Sequence, residues 1–429
     1  MTTRFPLEGI RVTDFTWYGA GPFATKLFAA YGAEVIKIES STKVDGMRWM
    51  GPRKPDVPLT YNISGMYNNF NPGKFGITLN MNHPKAKEIV KKLISRSDIV
   101  IDNFMPGIME SWGLGYEELV KIKPDIIMAT MPVMGTTGPY VHWRSVGTGI
   151  LAMAGVNSVT GNPDRAPIGT GLIAWCDWTA NPYHAAAAIL SALHHRNKTG
   201  KGQYIESAQL ESTVCWMGTA LLDYTVNNKI QTSTRNRSPY AAPHGIYRCK
   251  AEDREVEYTP MPDAEPEHKG KDERWCAIAV SNDEEWKAFC DVIGNPSWTR
   301  ERRFATFLGR KENEDELDRR VQEWTMEKSA EEVMMLMQQA GVAAGVVQDG
   351  EDLLARDPQL KARCFYVWRE HPEAGMIAHD GMTFALSATP GDIRRAAPVL
   401  GEHNDYVLRE IVGLSEEEVN QLITEKVLE

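Results

Sequence analysis

The side chain best placed for covalent chemistry is an aspartate set between two tryptophans, Asp177 in Gly171-Leu172-Ile173-Ala174-Trp175-Cys176-Asp177-Trp178. Trp175 and Trp178 keep water from the carboxyl, and partial desolvation raises both the pKa and the nucleophilicity of a carboxylate. An aspartate just ahead of a helix is often only its cap. Here Asn181-Pro182 offers the next helix a cap and first-turn proline of its own. A second pattern, Gly19-Ala20-Gly21-Pro22-Phe23-Ala24, fits GxGxxA, and Glu39 follows at a dinucleotide-like distance. An NAD(P)-dependent oxidoreductase would set a pyrophosphate on that helix N-terminus and a ribose on Glu39. Trp17 and Tyr18 put bulk where a pyrophosphate meets bare backbone, and Pro22 removes an N–H donor. A tight strand-to-helix turn explains the same residues.

The elements that must position these residues alternate between strand and helix. Strands are expected at Gly9–Phe15, Ala33–Glu39, Asp98–Phe104, Asp125–Met131 and Gln203–Ser207. Helices are expected at Pro22–Tyr31, His83–Arg96 (opened by Asn82 and Pro84), Tyr116–Ile122, Pro182–His195 and Leu210–Val226. Repeated βαβ units build a Rossmann-like parallel sheet covered on both faces, with ligands at the carboxyl ends of its strands. Those ends are Thr16–Ala20, Glu39–Ser41, Asn103–Phe104 and Pro132–Gly135. Composition changes after Asn227-Asn228. The expected division is a large α/β domain over 1–226, a smaller α+β domain over 227–345, and a return to the large domain over 346–429. Ala251–Arg274 is acidic and poor in apolar residues, and reads as a solvated loop. Helices are expected at Asp283–Ile293, Asp315–Glu327 and Ser415–Lys426, and strand signals near Met376–Leu386.

With 429 residues the chain is long enough for two domains, and 42% hydrophobic with 24% charged residues is ordinary for a globular protein. A net charge of −10 without a basic block argues against nucleic acid or an anionic membrane as partner. No apolar run is long enough to span a bilayer, and the first residues lack the pattern of a signal peptide. Six scattered cysteines without a CxxC pair suit free thiols in a reducing cytoplasm and no metal site.

Several stretches together resemble the class III CoA-transferases, the CaiB/BaiF family. They are Leu7-Glu8-Gly9-Ile10-Arg11-Val12, Ala20-Gly21-Pro22-Phe23-Ala24, Gly32-Ala33-Glu34-Val35-Ile36-Lys37-Ile38-Glu39 and Asn71-Pro72-Gly73-Lys74. Asp102-Asn103-Phe104-Met105-Pro106-Gly107, Gly113-Leu114-Gly115-Tyr116, Thr199-Gly200-Lys201-Gly202-Gln203-Tyr204 and Leu400-Gly401-Glu402-His403 follow in order along almost the whole chain. The resemblance implies that Asp177 is the nucleophile and carries CoA as an aspartyl thioester. Coenzyme A then enters as a substrate, in acyl-CoA form, with no permanently bound cofactor. A carboxylic acid is the second substrate.

The resemblance further implies Tyr18, Ala20, Lys74, Asn103, Phe104 and Arg144 as CoA contacts, with Lys74 and Arg144 at the phosphates. Ser111 stands where some members carry a phosphate-binding arginine, a role then expected of Arg48 or Arg53. Asn236–Gly245 lacks the run of glycines that oxalate-using members employ as a lid. The α-methylacyl-CoA racemases share the fold but need a histidine where Val146 stands, so racemisation lacks its second base. Val146 also replaces a tyrosine of the oxalate-using enzymes. With Trp17, Trp49, Trp175 and Trp178 on site loops, a bulky or aromatic acid is expected, and within the family the chain most resembles transferases that activate benzylsuccinate or related arylsuccinates with succinyl-CoA. The resemblance implies an interlocked dimer, either a homodimer or a heteromer with a related subunit.

Overall fold

The computed structural model describes residues 5–167, 169, 174–257 and 269–428. Six short strands form one parallel sheet: β1 (Arg11–Asp14), β2 (Glu34–Glu39), β3 (Phe75–Thr78), β4 (Ile99–Asp102), β5 (Ile127–Thr130) and β6 (Gln203–Glu206). Their order is β3-β2-β1-β4-β5-β6, and every neighbouring pair is parallel. The winding reverses between β1 and β4, which opens a crevice at their carboxyl ends.

In β1 to β5 the strand residues alternate between two buried faces, as a sheet covered on both sides requires, while the edge strand β6 is mostly exposed. Ile36, Ile38, Ile77, Val100 and Met128 pack on one face with Ile89, Val90 and Leu93 of the helix Pro84–Ile94, and with Val407, Leu408 and Ile411 near the end of the chain. Val12, Val35, Ile99, Ile101 and Ile127 pack on the other, against Phe23, Leu27 and Phe28 of the helix Ala20–Ala30 and Ala185, Ile189 and Leu193 of the helix Ala180–Thr199. The Thr199-Gly200-Lys201-Gly202 turn has a definite task. Gly200 ends the long helix in the left-handed region (φ +72°), and a Cβ on Gly202 would lie 1.9 Å from the Ile126 carbonyl oxygen. Only glycine lets β6 come in beside β5.

The expected strands β1, β2, β4, β5 and β6 are all present. β3, four residues long after Asn71-Pro72-Gly73-Lys74, has no counterpart among them. Pro84 does open its helix, but His83 is the cap, its Nδ1 accepting from the Lys85 N–H at 3.2 Å, in place of Asn82. The expected helix Leu210–Val226 is divided into Gln209–Val214, a 3-10 turn at Cys215–Met217, and Gly218–Asn227, which ends on Asn228 at φ +52°.

The chain divides into two compact units. Met1–Thr160, Pro167–Gln231 and Pro358–Glu429 form the first, and Gly161–Ala166 with Thr232–Asp357 the second. The second unit holds an antiparallel sheet in the order β11-β10-β7, from β7 (His244–Arg248), β10 (Trp275–Ala279) and β11 (Ala343–Val346). Phe289, Leu317, Val321 and Val333 of its helices complete a separate core. The segment expected as a loop, Ala251–Arg274, instead contributes two antiparallel strands, β8 (Glu252–Glu257) and β9 (Lys269–Asp272). Its acidic composition hid them, because a hairpin needs backbone pairing more than apolar side chains. In the first unit β12 (Tyr366–His371) and β13 (Gly375–Asp380) pair as a hairpin, the latter overlapping only the start of the expected strand region.

Candidate active site

A cleft of about 950 Å³ opens at the carboxyl ends of β1, β2, β4 and β5. Trp17 to Ala20, Glu39 and Ser40, Asn103 and Phe104, and Pro132 to Met134 all line it, as Rossmann-like winding dictates. Asp177 lies in the same cleft. Its backbone belongs to a single helical turn, Trp175–Trp178, with the Asp177 N–H donating to the Ala174 carbonyl at 2.8 Å. The apolar run expected before it, Gly171–Ile173, lies outside the described residues. Asp177 is not a helix cap. The long helix begins after Thr179, and Asn181, expected to cap it, is a wholly buried residue inside its first turn.

Two glycines make room for the carboxyl. A Cβ on Gly147 would lie 2.3 Å from Asp177 Oδ2, and one on Gly19 would lie 2.9 Å from Asp177 Cβ. Asp177 therefore sits in a slot between two bare backbones, one from the loop after β1 and one from the helix Gly147–Met153. Burial lifts its pKa to about 6, with hydrogen bonds from Cys176 and Asn181 opposing the rise. At neutral pH it is an anion kept short of solvent, which is the state a carboxylate nucleophile needs. The adjacent Cys176 thiol is pushed up to about 12 by burial and by the Asp177 charge, so it stays protonated and inert.

The loop that forms one wall of the slot is locked from three sides. Asn103 accepts from the Trp17 N–H at 2.8 Å and donates to the Trp17 carbonyl at 2.7 Å. Lys37 donates to the Thr16 carbonyl at 2.6 Å and pairs with Asp45 at 2.9 Å, while Asp45 accepts from the Tyr18 N–H at 2.9 Å. These contacts hold Tyr18 at φ +62°, a region costly for a bulky L-residue.

Of the residues implied by resemblance, Trp17, Tyr18, Ala20, Asn103, Phe104, Arg144, Val146, Asp177 and Trp178 line this one cleft. Four others do not. Lys74 is fully buried, its ammonium bonded to Asp14 at 3.2 Å, the Pro22 carbonyl at 3.0 Å and Asn71 at 2.8 Å. Burial pulls it down to about 8 against the attraction of Asp14. Arg48 is equally buried. It grips both oxygens of Glu39 at 2.8 and 2.7 Å and stacks 3.6 Å from the Tyr67 ring centroid. Both cations are spent on structure, so the expectation that they meet phosphates is corrected. The Arg48 grip also removes Glu39 from any ribose, which disposes of the dinucleotide reading. Arg53 bonds the Trp49 carbonyl. Trp49, 52% exposed, packs edge-on against Tyr61, and Trp175, also 52% exposed, is not among the residues that line the cleft. Trp178 reaches the cleft but wedges between Phe23 and Phe70.

The cations that do face the cleft are Arg144, exposed and without a hydrogen bond or ion pair among the described residues, and Lys43. Lys43 was missed, although it follows the β2 strand end that pointed to the site. Its ammonium lies 5.6 Å from the Trp17 ring centroid. Trp17, Phe104 and Trp112 continue edge-to-face at 5.7 and 5.6 Å, an aromatic wall with a cation at its rim.

A switch-point crevice with one desolvated carboxylate, two available cations and an aromatic wall defines an α/β enzyme for group transfer on an extended anionic substrate. The chain belongs to CoA-transferase family III, whose family model matches residues 7–259 and 261–404. It is a class III CoA-transferase. It is 32% identical over 424 residues to succinyl-CoA–D-citramalate CoA-transferase of Chloroflexus aurantiacus, covering 99% of this chain and 98% of that protein. It is 30% identical over 430 residues to the beta subunit of succinyl-CoA–L-malate CoA-transferase of the same organism, covering 100% and 99%. A CaiB/BaiF family protein from Brucella suis has the same fold, with a TM-score of 0.82 at 27% identity over 95% of this chain and 99% of that one. No helix among the described residues is long and apolar enough to cross a membrane.

Proposed function

We propose that this enzyme moves CoA from succinyl-CoA to a 2-substituted succinate through an aspartyl thioester on Asp177. An Asp177 oxygen attacks the thioester carbonyl and the C–S bond breaks, giving an aspartyl–succinyl anhydride and CoA thiolate. The thiolate then attacks the aspartyl carbonyl carbon and expels succinate, leaving the CoA sulfur on Asp177. The acceptor carboxylate attacks that thioester, and the freed thiolate attacks the acceptor's acyl carbon, restoring the Asp177 carboxylate. Every bond made replaces one broken, and no ATP enters. The observation that carries the reading is the slot between Gly19 and Gly147, which offers space to a bare carboxyl and little else. Lys43 and Arg144 would take the phosphates, and Trp17 and Phe104 the adenine or pantetheine.

The acceptor class rests on two supports. Malate and citramalate, acceptors in the names of the two relatives, are both succinates substituted at carbon 2, as benzylsuccinate is. The exposed rings of Trp143 and Tyr18 and the small Val146 in the cleft favour a bulky, aromatic substituent over oxalate. The helix Gly218–Asn227 buries none of its residues, although Leu221, Leu222, Tyr224 and Val226 are all at least half exposed. Such a face supports assembly with a second subunit, and six unpaired thiols suit a cytoplasmic enzyme. Incubation with succinyl-CoA followed by intact-mass measurement should give a hydroxylamine-labile CoA adduct on Asp177, absent in Asp177→Ala. A panel of succinates bearing hydroxyl, methyl and benzyl groups ranks the acceptors. Persistence of transfer in Asp177→Ala would end the proposal, and preference for oxalate would end its acceptor half.

A further inference from the structure

One buried carboxylate outside the cleft lining reaches the wall of the Asp177 slot. Asp45, on the loop after β2, is wholly buried, as is Lys37 beside it. Its two oxygens have separate partners. Oδ2 lies 2.9 Å from the Lys37 ammonium, and Oδ1 accepts from the Met47 N–H at 3.0 Å and the Tyr18 N–H at 2.9 Å. The Met47 bond is local, the cap of the 3-10 turn Gly46–Trp49. The Tyr18 bond crosses 27 residues of chain to the turn between β1 and the helix Ala20–Ala30. That turn is held residue by residue. Asp14 accepts from the Thr16 N–H at 2.8 Å, Lys37 donates to the Thr16 carbonyl at 2.6 Å, and Asn103 takes both the N–H and the carbonyl of Trp17. Tyr18 comes last, with φ at +62°, a conformation a bulky L-residue keeps only where its surroundings impose it. Its ring rests on the backbone of Gly46, where an added Cβ would lie 2.5 Å from Cε1 and 2.6 Å from Cζ. The next residue along is Gly19, where an added Cβ would lie 2.9 Å from Asp177 Cβ. A single peptide unit therefore separates the N–H that Asp45 grips from the wall beside the carboxyl.

From these contacts we infer that Asp45 is a positioning residue, which holds Tyr18 in its left-handed turn and so sets the gap between Gly19 and the Asp177 carboxyl. The inference rests on Asp177 being the nucleophile. The Lys37 ammonium and the N–H groups of Tyr18 and Met47 are all donors, so the site calls for a side chain that accepts on both of its ends. Asparagine can keep an oxygen on the two N–H groups, but its amide nitrogen then faces Lys37. Serine can cap Met47, but its oxygen, one bond nearer the backbone, does not reach across to Tyr18. Once that N–H is released, Tyr18 relaxes toward negative φ and Gly19 moves with it. The carboxyl then loses its fixed line of approach to the thioester carbon, which slows the chemical step. The phosphate contacts proposed for Lys43 and Arg144 come from long side chains that follow such a movement, so the loss falls on kcat.

The test compares Asp45→Asn with Asp45→Ser in the full-length enzyme. Both remove the charge opposite Lys37 and both keep a capping side chain, so both should melt below the wild type. They differ in the bond to Tyr18. Asp45→Asn should keep kcat for succinyl-CoA-dependent transfer near the wild-type value. Asp45→Ser should lose about tenfold, a part of the roughly 100-fold that a 1 Å misplacement costs, with the KM for succinyl-CoA alike in the two. A purely structural role would lower the melting temperature of both and separate their kcat values in neither direction. Equal kcat in the two variants, or a difference confined to KM, overturns the inference. If Asp45→Ser does not fold, Asp45→Glu decides, because it keeps an anion for Lys37 but carries its oxygens one carbon further from the chain than the Tyr18 N–H requires. A wild-type kcat in Asp45→Glu then overturns it, and a loss of about tenfold supports it. Absence of any CoA adduct on Asp177 in the wild-type enzyme is a separate result, and removes the nucleophile reading itself.

Discussion

Replacing Gly147 by alanine sets two physical effects against each other, and the structure gives the sign of the outcome. The backbone of Gly147 is in an ordinary helical conformation at the first residue of Gly147–Met153, where alanine is favoured over glycine by about 1 kcal/mol. The added methyl, however, would stand 2.2 Å from Ala174 Cβ, 2.3 Å from Asp177 Oδ2 and 2.9 Å from its Cγ. Carbon contacts are comfortable near 3.5–4.0 Å, so relief demands a movement of roughly 1 Å or more by the carboxyl or its backbone. Overpacking of this kind costs about 1–3 kcal/mol, which exceeds or cancels the helical gain. A 1 Å displacement of a reacting group costs about 100-fold in rate. Gly147→Ala should thus lower kcat for succinyl-CoA-dependent transfer by about 100-fold and leave the melting temperature unchanged or lower. Gly19→Ala, with its closest approach of 2.9 Å to Asp177 Cβ, should lose about tenfold by the same geometric rule. The assay is steady-state formation of the product acyl-CoA beside a thermal melt. A Gly147→Ala enzyme that turns over normally and melts higher would refute the slot as the seat of the reacting carboxyl.

Other substitutions test the remaining assignments. Asp102, buried at the end of β4, is raised to about 7 by burial, against hydrogen bonds from the Phe104 N–H and Thr130. Its folded-state pKa lies above the unfolded value near 3.8, so its contribution is most favourable at low pH and declines as pH rises from about 4 to 7. Asp102→Asn should raise stability at pH 8, by an upper limit of about 4 kcal/mol, and do little near pH 4, as denaturant melts at the two pH values would record. Lys43→Met and Arg144→Met should each raise the KM for acyl-CoA about tenfold, by loss of a charge-assisted contact, with kcat kept; salt should weaken binding less in the variants than in the wild type. Lys74→Met should act oppositely, leaving that KM alone while costing about 3–5 kcal/mol of stability, because it strands the buried Asp14.

The sheet was legible because its central strands β4 and β5 are largely apolar on both faces and because strand and helix alternate up to the loops that line the cleft. Asp177 was legible because two tryptophans and a recognisable chain order surround it. Lys74 and Arg48 were misread for a reason that sequence conceals: their partners, Asp14 and Glu39, lie 60 and 9 residues away, and a cation looks the same on paper whether solvated or paired. Lys43 lies in the loop beyond the end of β2, where no motif or spacing sets it apart from a solvated surface lysine. Asn181 looked like a cap, since Asn-Pro opens many helices. The structure instead buries it inside the first turn, bonded to Gln209 and Ser212. β3 and the β8–β9 hairpin escaped because short strands held by backbone pairing leave little apolar pattern.

The Asn103 carboxamide imitates a peptide unit, adding one more rung between the diverging halves of the sheet after the ladder itself has stopped. The wall that bears Gly19 therefore inherits the stiffness of a strand, and little freedom remains there for tuning. Variation is instead cheap on the opposite side, where Trp143, Arg144 and Val146 project from a loop with their side chains largely unpacked. An architecture that freezes one bank of a channel and leaves the other loose can change its clientele without rebuilding its engine.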